Sequence, residues 1–299
     1  MHPCFQDIFA THGEHLELRY EGTRQADRWA DGVLKTPDGT VYARVQGGVP
    51  LFVPPDQDLW GDDEAVAELL DRDQRSRETL IPTAWQTTVA RWQQLKPESR
   101  AWVQRVAAQG GLTLIVACGP AGSHAPELLD LAPHTKLLMS DIGKWIVVDW
   151  QRFADEKGLW PYLSCAQVDA RRFPVRADSL DCVDSKGAMS EIANPTLALQ
   201  EAFRTLRPGG KIFLSEGMLD PECAQEFPEE GRRELSAIGF TNARVGYDEQ
   251  LRAIGFDIVS YQQWGPRTPN LGRSRLADIA SKYGVRIRTY AVEAEAQKP

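Results

Sequence analysis

The residues with the clearest chemical potential begin at the stretch Leu114-Ile-Val-Ala-Cys-Gly-Pro-Ala-Gly-Ser-His124. An apolar run ends there in a turn that holds Gly119 and Gly122, and a helix-like segment, Ala125-Pro-Glu-Leu-Leu-Asp130, follows. Strand, tight glycine turn and helix start together make a cradle for a nucleotide-like ligand. Glycine lets the backbone come close, and the first turn of a helix has amide donors to spare. Such turns also join strands to helices in many α/β proteins without binding anything.

Three further features fall at expected strand ends. Leu137-Leu-Met-Ser-Asp-Ile142 closes on Asp141, about 20 residues beyond the glycine turn, an offset at which an acid can accept both hydroxyls of a ribose. Ala166-Gln-Val-Asp-Ala-Arg-Arg-Phe-Pro-Val175 places Asp169 where its carboxylate can accept from an exocyclic amine. Leu206-Arg-Pro-Gly-Gly-Lys-Ile-Phe-Leu-Ser215 reads as a helix end, a turn and a strand. Singly, each is as well explained by an ordinary solvated turn.

Positioning these residues falls to an alternation that starts at Gly111. Strands are expected at 114–117, 136–140, 163–168, 180–183, 211–215, 257–261 and 285–292, with helical segments between most of them. Asp248 to Val259 reads as helix, glycine stop and strand, and 266–275 as a loop. The pattern is that of an α/β, doubly wound, largely parallel sheet, whose ligands bind beyond the carboxyl ends of the strands. Upstream, residues 61–110 read as a helical connector. Trp85, Val89, Trp92 and Leu95 recur at helical spacing, and Trp102, Val103 and Val106 continue the stripe. That stripe is first a core face, and second a wall for a pocket. Residues 1–60 read as a small β-rich module with turns at Pro37-Asp-Gly39 and Gln46-Gly-Gly48 and a strand over 40–45.

Composition narrows the function. The 299 residues have room for two modest domains, and 42% apolar content suits a packed core. A net charge of −8, from 34 basic and 42 acidic residues without a basic block, argues against a nucleic-acid footprint. The five cysteines, Cys4, Cys118, Cys165, Cys182 and Cys223, form no C-x-x-C pair and read as free thiols in a reducing compartment. Met1-His-Pro-Cys-Phe lacks the basic start and apolar core of a signal peptide, and no apolar run reaches membrane-spanning length. A cytoplasmic protein without a membrane partner is expected. His2, Cys4, His12 and His15 lack the spacing of common zinc sites, so no metal is expected.

Taken in order, the motifs resemble those of class I S-adenosylmethionine (SAM)-dependent methyltransferases, particularly the group acting on small molecules. Ala117-Cys-Gly-Pro-Ala-Gly122 matches the family's glycine motif, Asp141 its ribose acid, and Asp169-Ala170 its adenine-contacting pair. Ser179-Leu-Asp-Cys-Val-Asp184 matches its fourth strand and Leu206-Arg-Pro-Gly-Gly210 the turn before its fifth. The resemblance implies a Rossmann-like seven-stranded domain over 111–299, with SAM as cofactor. By it, Ala117, Gly119 and Gly122 would line the cofactor, Asp141 would hold the ribose, and Ile142, Asp169 and Ala170 would frame the adenine. Ser185 and Lys186 would lie near the methionine end and the substrate. Ser185 and Glu191 are the expected catalytic residues. Glu191 and Glu216 are general-base candidates, although charged residues ordinarily serve as solvated surface. His124 and His134 are expected at the surface.

Val41-Tyr-Ala-Arg-Val-Gln-Gly-Gly-Val-Pro-Leu-Phe52 resembles the signature of Trm112-like zinc-ribbon modules, here without their paired cysteines. The glycine motif also departs from the family, with Ile115 at the usual acid and Ala117 and Ala121 at two glycines. Methyl transfer to O, N or S of a small molecule is the leading expectation. An RNA (rRNA guanine-type) methyltransferase and a catalytically silent partner protein are the alternatives.

Overall fold

A computed structural model of the chain describes residues 1–13, 15–54, 77–95, 97–192, 194–237, 246–269 and 275–299. Its strands are β1 (Arg19–Gln25), β2 (Arg28–Lys35), β3 (Val41–Gln46), β4 (Val49–Leu51), β5 (Leu112–Val116), β6 (Lys136–Asp141), β7 (Leu163–Gln167), β8 (Leu180–Lys186), β9 (Leu206–Leu219), β10 (Asp257–Arg267) and β11 (Thr289–Gln297). Its helices are α1 (Arg77–Gln94), α2 (Pro97–Gln109), α3 (Ala125–Leu131), α4 (Lys144–Glu156), α5 (Pro195–Thr205), α6 (Pro221–Glu226), α7 (Glu229–Ala237), α8 (Tyr247–Ile254) and α9 (Arg275–Tyr283). The helical start expected over 65–70 and residues 270–274 of the expected 266–275 loop lie outside the described residues.

All strands join one sheet in the order β1-β2-β3-β4-β7-β6-β5-β8-β9-β11-β10. The central strands β7, β6, β5, β8 and β9 are parallel, and β11 runs antiparallel to β9 and β10. Runs such as Leu112-Thr-Leu-Ile-Val116 are apolar on both sides of the pleat because helices cover both faces. One face packs α1 to α4 over Ile115, Met139, Cys165 and Phe213, and the other packs α5 and α8 over Leu114, Leu138, Val183 and Leu214. Both are the layers of a doubly wound fold.

The N-terminal strands continue this sheet. β4 meets β7 in parallel at Leu51↔Gln167, and Phe52 N donates to Gln167 O at 3.1 Å. Phe5, Phe9, Trp29 and Leu34 share one core with Val168, Phe173 and Val175.

Three segments differ from expectation. β10 runs past 261 to Arg267 and so takes in the first residues of the expected 266–275 loop. The last strand begins at Thr289 rather than 285, and Arg288 just before it pairs with Asp220 and Glu226, each at 2.8 Å. It runs on to Gln297 because Glu295 is neutralised by Lys211 at 2.7 Å and Arg105 at 3.1 Å. The glycine turn after α5 lies inside β9, where pairing jumps from Leu180↔Leu206 to Cys182↔Lys211 and residues 207–210 bulge.

The tryptophan stripe belongs to the core. Trp102 meets Phe213 edge-on at 5.6 Å, and Trp85 packs on Phe153 at 5.5 Å. Phe213 is fully buried at this junction of connector and sheet. Phe213→Ala should therefore cost about 3–5 kcal/mol of stability, read as a lowered midpoint in urea denaturation.

Candidate functional site

Strand β5 is where the sheet order reverses: the chain next builds β6 and β7 on one side, then β8 and β9 on the other. Helices entering and leaving such a point diverge and open a crevice beyond the carboxyl ends of the strands. The loop after β5 and the ends of β6, β7 and β8 supply its side chains.

The loop after β5 has a backbone path that few residues accept. Ala117, Gly119, Gly122 and Ser123 have φ of +45°, +56°, +78° and +53°. For alanine and serine this left-handed conformation carries a cost of order 1–3 kcal/mol, which surrounding contacts must offset. Cys118 N donates to Ser140 O at 2.8 Å, and the Trp150 indole donates to Gly119 O at 2.9 Å. A Cβ at Gly122 would stand 2.6 Å from the fully buried Trp150 ring, so glycine there serves close packing of loop on helix. At Gly119 a Cβ would meet nothing within 4 Å, which makes it the open side of the loop.

Asp141, buried at the end of β6, joins this loop to the next. Its Oδ2 accepts from Gly119 N and its Oδ1 from Gly143 N, both at 2.9 Å. A carboxylate oxygen accepts more than one hydrogen bond, so these contacts are compatible with added hydroxyl donors. The Ile142 carbonyl accepts from Gln167 Nε2 at 2.9 Å, and Val168 N donates to Asp141 O, tying the end of β7 to the same corner. Beyond it, Asp169 is gripped by Arg171, with Nε at 2.9 Å from Oδ1 and Nη2 at 2.7 Å from Oδ2. Burial alone would raise the Asp169 carboxyl. The hydrogen bonds and charge of Arg171 outweigh it and leave the group below the usual carboxylate range. Ala170 packs partly buried against the core.

At the end of β8 the structure corrects one expectation. His124 is buried, not at the surface, and its Nδ1 lies 3.0 Å from both carboxylate oxygens of Asp184, which is fully buried. A carboxylate inside an apolar strand needs a partner. Asp184 in Leu-Asp-Cys-Val-Asp-Ser was the signal in the sequence that a histidine would be drawn inward. His134 is exposed.

Ser185, next on the strand, faces the opposite side of the sheet and donates from Oγ to Glu216 Oε1 at 2.6 Å. Glu216 also accepts from Ala188 N at 3.3 Å and Met189 N at 3.1 Å, so it fastens the segment after β8 to β9. Lys186 turns back toward α3 and lies 3.2 Å from Glu127. Glu191, at the end of a short 3-10 turn, is exposed. The structure thus gathers Ala117, Gly119, Gly122, Asp141 and Ile142 into one corner and Ser185 with Glu216 into a second.

Burial pushes the Glu216 carboxyl up to about 7, with the charge of Asp184 adding to the rise and the bonds from Ser185, Met189 and Ala188 opposing it. Tyr247, packed on the same side, is buried too. Because the folded protein favours the neutral acid, its contribution to stability is full below the ordinary value of 4.5 and is lost as pH rises to 7. Stability should fall by roughly 3 kcal/mol across that window on account of this group, and Glu216→Gln should flatten that part of the pH profile in chemical denaturation.

Comparison with known proteins agrees with this geometry. Residues 114–214 match the family model described as a methyltransferase domain. A ubiquinone/menaquinone biosynthesis C-methyltransferase UbiE of Roseobacter denitrificans is 25% identical over 42% of this chain and 50% of its own. The corresponding protein of Dinoroseobacter shibae is 24% identical over 54% of this chain and 71% of its own. An uncharacterised 37.1 kDa protein of a Streptomyces fradiae transposon is 26% identical over 36% and 30%. The chain thus spans half or less of the length of the Roseobacter and Streptomyces relatives. Among solved structures, a geranyl diphosphate methyltransferase superposes with a TM-score of 0.50 at 15% identity, over 67% of this chain and 78% of that one. A Bacillus halodurans protein, itself assigned only provisionally as a methyltransferase, gives 0.51 at 19% identity over 67% and 98%. These likenesses establish the fold. Strand order, the glycine loop with its acid, and the family match together place residues 114–214 in the class I S-adenosylmethionine-dependent methyltransferases.

Proposed function

We propose that the protein uses SAM to methylate a small molecule, at O, N or S, or at carbon as the UbiE relatives are named for. The observation that carries this reading is the contact of Asp141 with the amide of Gly119 at the switch point. It sets a carboxylate beside the open side of a glycine loop, the pairing that a ribose and its flanking chain require. The residues present fit the cofactor on that ground. The narrowing at Ala117 and Ala121 leaves Gly119 unobstructed.

The cofactor, when bound, supplies an electrophilic methyl group on a sulfonium centre, so the protein's share is alignment and exclusion of water. Asp141 would accept the ribose hydroxyls, with Ile142 and Ala170 beside the base. Asp169, held on both oxygens by Arg171, keeps further lone pairs with which it would accept the exocyclic amine of the base. Ser185 and the turn up to Glu191 would line the substrate side, held in place by Glu216. Glu216, neutral or ionised near pH 7, is the group there able to take a proton from an acidic substrate. No helix among the described residues is long and apolar enough to cross a membrane. A cytoplasmic location is part of the proposal.

The test is a thermal shift with S-adenosylhomocysteine. At about 100 times its dissociation constant the ligand should stabilise the fold by roughly 2.7 kcal/mol, a rise of several degrees. Asp141→Asn should abolish the shift while its circular dichroism stays that of the parent. Absence of any shift in the parent protein, with SAM as with S-adenosylhomocysteine, would overturn the reading in favour of a silent relative.

A further inference from the structure

Asp169 and Arg171 stand in the loop after β7 with side chains 16% and 37% exposed, so the pair is open to solvent. Arg171 grips the carboxylate from its backbone as well as its side chain. Its amide N and its Nε each donate to Oδ1 at 2.9 Å, and its Nη2 donates to Oδ2 at 2.7 Å. Arg172 N closes the turn on the Asp169 carbonyl oxygen at 2.9 Å. Fork and amide together fix the plane of the carboxylate and its rotation.

A carboxylate has about four acceptor sites over its two oxygens. The amide and Nε fill Oδ1. Oδ2 takes one short bond, with Nε more distant at 3.2 Å, and keeps room for a further donor. The guanidinium is charged at any ordinary pH and offers no acceptor. Burial raises the Asp169 carboxyl, but the hydrogen bonds and charge of Arg171, with the charge of Arg172 behind them, hold it below the usual carboxylate range. Among the described residues these two arginines, both from its own loop, are the charged groups acting on it. The carboxylate therefore stays ionised near neutral pH and has no proton to donate. A base with a 6-amino group satisfies the open position on Oδ2. A base with a 6-oxo group sets acceptor against acceptor and leaves both unpaired. An unheld aspartate in the same half-buried place could turn away, or take a proton and donate it to the oxo group. The arginine closes both routes.

We infer that Arg171 is a positioning residue that makes Asp169 a one-way acceptor, so that the base site admits a 6-aminopurine and rejects a 6-oxopurine. This rests on the proposed function and deepens it by naming the side chain that sets the choice of base.

Isothermal titration with S-adenosylhomocysteine and with its deaminated analogue, S-inosylhomocysteine, tests the assignment between about pH 5 and pH 8. The parent should bind the first at least about tenfold more tightly, by the same ratio at every pH. Arg171→Gln should weaken S-adenosylhomocysteine by about tenfold. Its preference should also narrow as pH falls, because burial then raises a carboxyl no longer held by the fork, and the protonated acid donates to the oxo group. Arg171→Lys keeps a charge and loses the fork, so it should lose affinity for S-adenosylhomocysteine while its ratio stays independent of pH. The two ligands also differ at N1, a difference common to parent and variants, so the change in ratio is the decisive quantity. Circular dichroism of both variants should match the parent, since the replaced side chain is at the surface. No preference in the parent, a preference that both variants keep at every pH, or equal loss of both ligands would overturn the role of Arg171 while leaving the methyltransferase reading in place. Failure of the parent to bind either ligand would instead remove the proposed function, and this inference with it.

Discussion

Burial of the central parallel strands on both faces is the constraint on which the molecule depends. With helices packed above and below β5, β6, β7 and β8, polar side chains within these strands must find partners inside the protein. The ends of the strands are the natural place for the rest. Asp141, Ser185 and Lys186 all occupy that level, and the deeper Asp184 is matched by His124 drawn down from the loop. The site is thus a consequence of the sheet's coverage as much as of its strand order.

Asp141 shows how little is needed to organise the crevice once that constraint holds. Its two oxygens take amides from two successive strand-to-helix loops and fix their spacing. The same corner gathers the Trp150 indole on Gly119 and the Cys118 amide on Ser140. These bonds compensate the left-handed backbone of Ala117 and Ser123, which glycine would adopt without cost. A glycine motif with two alanines can therefore keep its path, provided its neighbours hold it from outside.

Much of this was legible in the sequence because the central strands have continuous apolar runs that end in polar residues. The glycine turn, Asp141 and Asp169 stand at strand ends as their spacing suggests. What escaped notice depended on contacts distant in the chain. His124 reads as a surface residue until Asp184, sixty positions away, is known to lie beneath it. The last strand extends past Glu293 and Glu295 because Lys211 and Arg105 neutralise the second of these, which an alternation of apolar and acidic residues does not reveal. The grip of Arg171 on Asp169 is local, yet the sharing of one carboxylate between arginine and ligand is a matter of geometry rather than residue type.

The pairing of β4 with β7 has a consequence for how the molecule meets others of its kind. The flank of a parallel sheet presents a row of unpaired amides and carbonyls that can template another chain. Here that flank is covered, and the sheet ends on this side in β1, whose Arg19, Glu21 and Arg24 are turned to solvent. Charge on an outermost strand discourages edge-to-edge addition. The first fifty residues thereby act as a selvage, finishing a fabric that would otherwise be open to further weaving.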